Sequence, residues 1–254
     1  MLKPRLIVSL LVDSELHLVN TKNFKKNKYL GDPLNAAYIF SNYEVDELLV
    51  LDIDASGRGE CISYDFVKAL SNFTTVPLTI GGGISNLKQI QDLLSFGVER
   101  IVIGENLKND LSFLRQASKR FGSSSITAIL NIRELKNKEY QIFMGRNKVP
   151  KSNIIDYALS CQEAGAGELI INQIDRDGCK TGLNIGLMEI LNSKLSIPIV
   201  AMGGCGNISQ INQILKVTPL SGIAGSSIFV YATGTEQVLL KYSEIKKHIT
   251  LINN

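Results

Sequence analysis

Short apolar, β-branched runs alternate with amphipathic stretches of helical length along this 254-residue chain. The runs fall near 5–12, 47–53, 77–80, 100–103, 125–131, 168–172, 198–202 and 222–225. Between them, apolar residues recur three and four apart, for example over 86–96, 110–121, 154–164 and 208–216. Eight strand–helix alternations without a long structureless linker predict parallel strands with crossover helices. Eight such units close into an α/β fold of the (β/α)₈ TIM-barrel type, which needs about 250 residues. A doubly wound open sheet is the alternative.

An internal repeat favours closure. Shifted by 121 residues, 47–106 lies on 168–227 without a gap and with 14 identities over 60 positions. Average composition would give about 4. Glu47-Leu48 meets Glu168-Leu169, Gly82-Gly83 meets Gly203-Gly204, and Asn86 meets Asn207. Two half-barrels are expected, about 1–123 and 124–254, within a single domain spanning 1–254. Each half would leave an open sheet edge that only the other half covers.

Composition narrows the chemistry. A net charge of +3, with no basic run interleaved with aromatics, argues against nucleic acid. No apolar stretch reaches the roughly 18 residues of a membrane span, and no signal peptide is recognisable. Cys61, Cys161, Cys179 and Cys205 lack CxxC spacing and read as reduced thiols of a cytoplasmic protein. His17 and His248 are far apart, so a zinc site or a serine-type triad lacks material, and neither metal nor cofactor is expected. The four lysines between Lys22 and Lys28 read either as a solvated loop or as a mobile loop that attracts anions.

In a barrel the reactive face is built from the loops that follow the strands. Gly203, Gly204 and Gly206 follow the seventh strand; Gly225, Ser226 and Ser227 follow the eighth. Glycine lets backbone N–H groups approach an anion, and hydroxyls add donors. This pair of turns is expected to bind phosphate, with Gly82 and Gly83 as a weaker counterpart in the first half. There the partner turn reads Gly104-Glu105-Asn106, and the glutamate opposes an anion.

End to end, the chain resembles the cyclase subunit of imidazole glycerol phosphate synthase. The resemblance rests on GDP at 31–33, DELLVLDIDAS at 46–56, GGGI at 81–84, RFGS at 120–123, IDRDG at 174–178 and GGCG at 203–206. It implies a glutaminase partner at the bottom of the barrel. Ammonia from that partner would pass through the barrel to a phosphorylated substrate at the top, which two aspartates cyclise as acid and base. Matched to the family pattern, those aspartates fall at Leu11 and Leu130. Asp13 lies on the face of Leu11 but further out, and Asn131 is expected to face the helices unless a bulge turns it. Asn20 stands at the family's loop-one lysine, with Lys22 near. The family's charged gate at the barrel bottom matches Arg5, Glu47, Arg100 and Glu168.

The top has thus lost its acid–base groups while the bottom keeps its gate. The leading expectation is an ammonia-conducting subunit of a glutamine-dependent complex that has lost the histidine-pathway cyclisation. The pattern resembles paralogues that serve a sugar-modifying amidotransferase. An active cyclase is the alternative, with Asp52, Asp175 or Asp177 as proton carriers. A further one is an assembly or regulatory partner that binds a phosphorylated metabolite and conducts nothing.

Overall fold

The computed structural model describes residues 3–231 apart from 109, 138, 145–146 and 150–152, together with residue 242. His248 and the rest of the second half beyond 231, apart from residue 242, lie outside the described residues.

In chain order the elements are β1 (Arg5–Val12), β2 (Leu18–Lys22), β3 (Lys25–Gly31), α1 (Pro33–Asn42), β4 (Glu47–Asp52), α2 (Ala55–Arg58), α3 (Tyr64–Phe73), β5 (Leu78–Gly81), α4 (Leu87–Ser95), β6 (Arg100–Ile103) and α5 (Ser112–Phe121). The second half adds β7 (Ile126–Glu134), β8 (Tyr140–Met144), β9 (Asn147–Lys148), α6 (Ile154–Glu163), β10 (Glu168–Gln173), α7 (Ile185–Lys194), β11 (Ile199–Met202), α8 (Ile208–Val217), β12 (Gly222–Gly225) and α9 (Ser227–Val230). Parallel pairing runs β1–β4–β5–β6–β7–β10–β11–β12 and returns to β1, closing an eight-stranded (β/α)₈ barrel. The open-sheet alternative is thereby excluded.

Local signals set the helix starts. Asn86 caps α4, accepting from Gln89 N while the Gln89 side chain accepts from Asn86 N. Asn207 caps α8 in the same way through Gln210 N. Asp32 caps α1 ahead of Pro33. Such a cap is worth about 0.5–2 kcal/mol. Residues equated by the 121-residue shift therefore do equivalent work in β4–α4 and β10–α8.

Two hairpins were not anticipated from the sequence. β2 and β3 pair antiparallel and extend from β1, so the lysine-rich stretch is an ordered ribbon rather than a loop. Its two-residue turn holds Asn23 and Phe24 at positive φ, the geometry that matches strand twist. β8 and β9 extend β7 similarly. Both hairpins rise at the C-terminal, or top, end of the barrel strands.

Outward-facing strand residues such as Leu6, Val8, Leu10, Leu48, Val50 and Leu130 pack beneath the helices. Burial of each side chain of this size contributes about 1.5–3 kcal/mol. Inward-facing residues form a separate cluster of Ile7, Leu49, Val102, Ile129, Ile170, Val200, Met202 and Ala224. Register stacks the interior in layers drawn from alternate strands. Arg5 and then Glu47, Arg100 and Glu168 lie at the bottom. Above them come Ile7, Thr79, Thr127 and Val200, and then Leu49, Val102, Ile170 and Ala224. Next are Ser9, Gly81, Ile129 and Met202, followed by Asn172 with Leu51 and Gly104. Leu11 and Asn131 face each other at the top.

Candidate functional site

At the bottom, strand starts bring four charges together. Arg5 Nη1 lies 2.5 Å from Glu47 Oε2, and its Nη2 donates to Glu168 Oε1. Arg100 Nη1 reaches the same Glu47 oxygen at 3.1 Å. Thr79 Oγ1 donates to the other Glu47 oxygen at 2.6 Å. Among the described residues no ion pair joins Arg100 to Glu168, so the four form a chain, Arg100–Glu47–Arg5–Glu168, and not a closed ring. Glu47 is 2% exposed and Glu168 is also buried, while Arg5 and Arg100 are partly open. Burial works against the Arg5 charge, but Glu47 and Glu168 outweigh it and hold the guanidinium above its ordinary range. Burial pushes the Glu168 carboxyl up, and Glu47 adds to this, against the pull of Arg5 and Arg100. The sequence marked the four charges. It did not reveal Thr79, whose only signal is a hydroxyl on an otherwise apolar strand.

At the top, a small pocket lies between the β2–β3 ribbon and the turns after β11 and β12. Leu11, Asn20, Thr21 and Asp177 line one side; residues 203–205 and 225–227 line the other. Gly204, at φ +103°, packs so tightly that a Cβ would sit 2.4 Å from Gly182 O, which only glycine avoids. The Ser226 hydroxyl is buried without a partner among the described residues. Gly206 lies outside the lining, its N–H donating to Gln210 Oε1 at 2.8 Å. Lys180 Nζ stands 4.8 Å and Lys28 Nζ 5.9 Å from the centre of the Tyr231 ring. Tyr231 in turn accepts a hydrogen bond from Asn20 Nδ2 at 2.8 Å. Lys22 is exposed on the ribbon.

The first-half counterpart packs as the second-half turn does: a Cβ on Gly83 would fall 1.6 Å from Glu60 O, as one on Gly204 would fall 2.4 Å from Gly182 O. Gly82 O accepts from Ile62 N, and Asn106 Nδ2 donates to Ile84 O at 2.6 Å, tying the two turns together. Glu105 opens a short 3₁₀ turn, with one carboxylate oxygen buried.

The three candidate acids are not equivalent. Asp52 is a turn-capping residue: its Oδ1 accepts from Asp54 N and Ala55 N, and its Oδ2 pairs with Arg58 at 2.8 Å. Asp175 is exposed at the rim, accepting from Glu134 N and Gln173 Nε2. Asp177 alone lines the pocket. Its Oδ2 accepts from Thr21 Oγ1 at 2.6 Å and from Phe24 N at 3.4 Å, which fastens the ribbon over the pocket. Burial raises the Asp177 carboxyl above the ordinary range, against those two hydrogen bonds. Asp13 sits at the foot of the ribbon, bonded to Glu15 N and His17 N and paired with Lys26.

One assignment is corrected. Leu130 is not on the inner face of β7; it packs outward beneath the helices, whereas Thr127, Ile129 and Asn131 point inward without a bulge. Asn131 therefore stands opposite Leu11, and Asn172 Nδ2 donates to its Oδ1 at 3.1 Å. Every residue from Ile126 to Leu130 is buried, so the sequence offered no alternation to set the phase. The inner face at this level still carries a leucine and an amide, neither of which titrates.

Among the described residues no group of three or more His, Cys, Asp or Glu could hold a metal ion, and no helix is long and apolar enough to cross a membrane.

A family model described as histidine biosynthesis protein matches residues 7–233. A protein of Pseudomonas aeruginosa named "Putative imidazole glycerol phosphate synthase subunit hisF2" is 34% identical over 248 residues, covering 97% of this chain and 98% of that one. A similarly named protein of Leptospira borgpetersenii is 36% identical over 245 residues, 95% and 96% of the two chains. The "Imidazole glycerol phosphate synthase subunit HisF" of Bacillus cereus is 30% identical over 236 residues, 92% and 93% of the two chains. Pattern, barrel and sequence agree, and the chain belongs to the histidine biosynthesis protein family, among the cyclase subunits of imidazole glycerol phosphate synthase.

Proposed function

We propose that this chain is the ammonia-conducting synthase subunit of a glutamine-dependent complex. In this reading a glutaminase subunit docks on the barrel bottom, and ammonia passes inward at the Arg5–Glu47–Arg100–Glu168 cluster. It leaves at the top for a separate amidotransferase that modifies a sugar, and the histidine-pathway cyclisation is lost. The observation that carries the reading is the contrast between the ends: an intact, mutually paired charge cluster at the bottom, and Leu11 opposite Asn131 at the top. A barrel kept only as scaffold has no need of buried carboxylates at its closed end, since burying charge is costly unless it is paired.

The upper pocket is the place for a phosphorylated ligand in this proposal. Gly203, Gly204, Gly225, Ser226 and Ser227 line it, and Lys28 and Lys180 lie over the ring of Tyr231, which is bonded to the lining residue Asn20. Crystals soaked in inorganic phosphate are expected to hold one ion at residues 204 and 225–227 and none at 104–106. Two ions of equal occupancy would show that Glu105 does not exclude the second.

A second reading has one observation in its favour. Asp177 is the carboxylate that faces the pocket, and burial raises it toward the range of a useful general acid. An active cyclase would rely on it, and the turnover measurement described in the Discussion separates the two readings.

Docking is tested by sedimentation velocity of the purified chain with a glutaminase subunit from the same organism. A one-to-one complex is expected, weakened by charge reversal at Arg100 on the rim. Failure to associate at micromolar concentrations would remove the conduit and leave an assembly partner that binds a phosphorylated metabolite.

A further inference from the structure

The β2–β3 ribbon is fastened to the barrel top at several points. Asp177 Oδ2 accepts from Thr21 Oγ1 and Phe24 N, and Asp177 O accepts from Asn23 N at 3.0 Å. Cys179 Sγ donates to Asn23 Oδ1 at 3.2 Å. Gly178 is the seat: a Cβ there would fall 2.1 Å from Thr21 O, so only glycine lets the ribbon lie this close. On the other side Lys26 Nζ pairs with Asp54 at 2.7 Å. Of the ribbon, only Asn20 and Thr21 line the pocket beneath it. Its outer surface is basic and aromatic. Residues 18–31 carry four lysines and no carboxylate. Lys22 and Lys25 are exposed and have no ion pair among the described residues. Phe24 is 40% and Tyr29 61% exposed, and Phe24 holds φ +64° at a turn position where glycine is the ordinary residue. Lysines on an edge strand guard against stray strand pairing, and β3 is such an edge among the described strands. That role explains the charge. It does not explain two exposed aromatic rings, which work against it.

A second ridge stands across the mouth. In the closed strand order β7 lies opposite β1, so the turn after β7 rises on the far side of the barrel from the ribbon. Leu135 in that turn is 41% exposed. We infer that these two ridges form the docking surface of the ammonia acceptor, a protein subunit that meets the ribbon with an acidic face and with apolar seats for Phe24 and Tyr29. A partner touching both ridges spans the mouth between them. Exposed aromatic rings serve as anchors in such contacts, and the surrounding lysines select and steer an acidic surface. A ribbon already tied down loses little freedom when a partner binds it. The inference rests on the conduit reading and adds to it the surface on which the acceptor sits.

The test mixes the full chain with the sugar-modifying amidotransferase of the same organism, and separately with the glutaminase, and follows association by sedimentation velocity. The amidotransferase is expected to bind the wild type, less tightly as salt is raised. Lys22→Glu/Lys25→Glu should weaken that binding at least about tenfold by setting like charge against the acidic face. Tyr29→Ala should weaken it about tenfold through loss of an anchor. Both variants should bind glutaminase at wild-type strength, which shows that they fold. Calorimetry with inorganic phosphate should be unchanged by the lysine substitutions, since neither residue lines the pocket. An amidotransferase that binds wild type and both variants equally, or binds none of them, overturns the docking surface. Loss of phosphate binding with Lys22→Glu/Lys25→Glu also overturns it and assigns the lysines to the pocket's ligand. The conduit reading fails by a different result, a wild type that binds no glutaminase.

Discussion

Given the bisphosphorylated histidine-pathway substrate and ammonium salts, the protein is expected to turn over at least 10⁴-fold more slowly than a working cyclase, whose rate would be about 1–10³ s⁻¹. Loss of a general acid or a general base each removes about 10²–10⁴-fold. Here both positions on the inner face are non-titrating, since Leu11 carries a hydrocarbon and Asn131 an amide already bonded to Asn172. Asp52 is committed to Arg58 and two backbone donors, and Asp175 is exposed at the rim. The informative repair is Leu11→Asp with Asn131→Asp; a repair at residue 130 would place a carboxylate under the helices. Little recovery is expected, because Glu105 remains at the first-half turn. Wild-type turnover of a few per second or more would contradict the account and assign the proton transfers to Asp177.

Replacing Arg5 by alanine is expected to have the second large effect, on stability as well as on delivery. Arg5 supplies the ion pair that Glu168 makes among the described residues, whereas Glu47 keeps Arg100 and Thr79. Removing one partner of a buried pair costs about 3–5 kcal/mol. Arg5 is about a quarter exposed, so the lower end applies and water can partly solvate what is left. At about 2–4 °C per kcal/mol for a chain of this size, thermal unfolding should fall by roughly 6–12 °C at neutral pH. The pH dependence has a definite sign. The Glu168 carboxyl is already raised, mainly by burial, and a raised carboxyl stabilises below its unfolded pKa and loses that contribution as pH rises through its folded value. The Arg5→Ala penalty should therefore be largest at neutral pH and shrink toward pH 4, where Glu168 is protonated. Adding Glu168→Gln should recover part of it. Unchanged melting across pH would mean that the cluster is solvated rather than paired.

The barrel was legible because its strands are apolar on both faces and its repeat equates Glu47 with Glu168 and Gly82 with Gly203. Arg5, Arg100 and Gly222–Gly225 fall where the pattern placed them. What escaped was phase and pairing. β7 is buried on both faces for its first five residues, so nothing in its sequence said that Asn131 and not Leu130 points inward. The β2–β3 ribbon was hidden because its charges suggested solvent, while the turn that makes it, Asn23-Phe24, lacks the usual glycine. The satisfied state of Asp52 and the bonds of Asp177 to Thr21 and Phe24 depend on neighbours from other elements, and only three-dimensional register supplies those.

Conduction through the barrel is tested most directly by offering the ammonia an escape. In the assembled complex supplied with glutamine, an excess of an external ammonia-consuming enzyme is added to the solvent and product formation is followed. Delivery through the barrel predicts that the glutamine-driven rate is nearly unchanged, while the rate driven by added ammonium collapses. Opening the cluster with Arg100→Ala, which leaves Glu47 its bonds to Arg5 and Thr79, should make the glutamine-driven rate sensitive to the scavenger. If the scavenger suppresses both rates equally in the wild type, ammonia travels through solvent and the barrel is not its path.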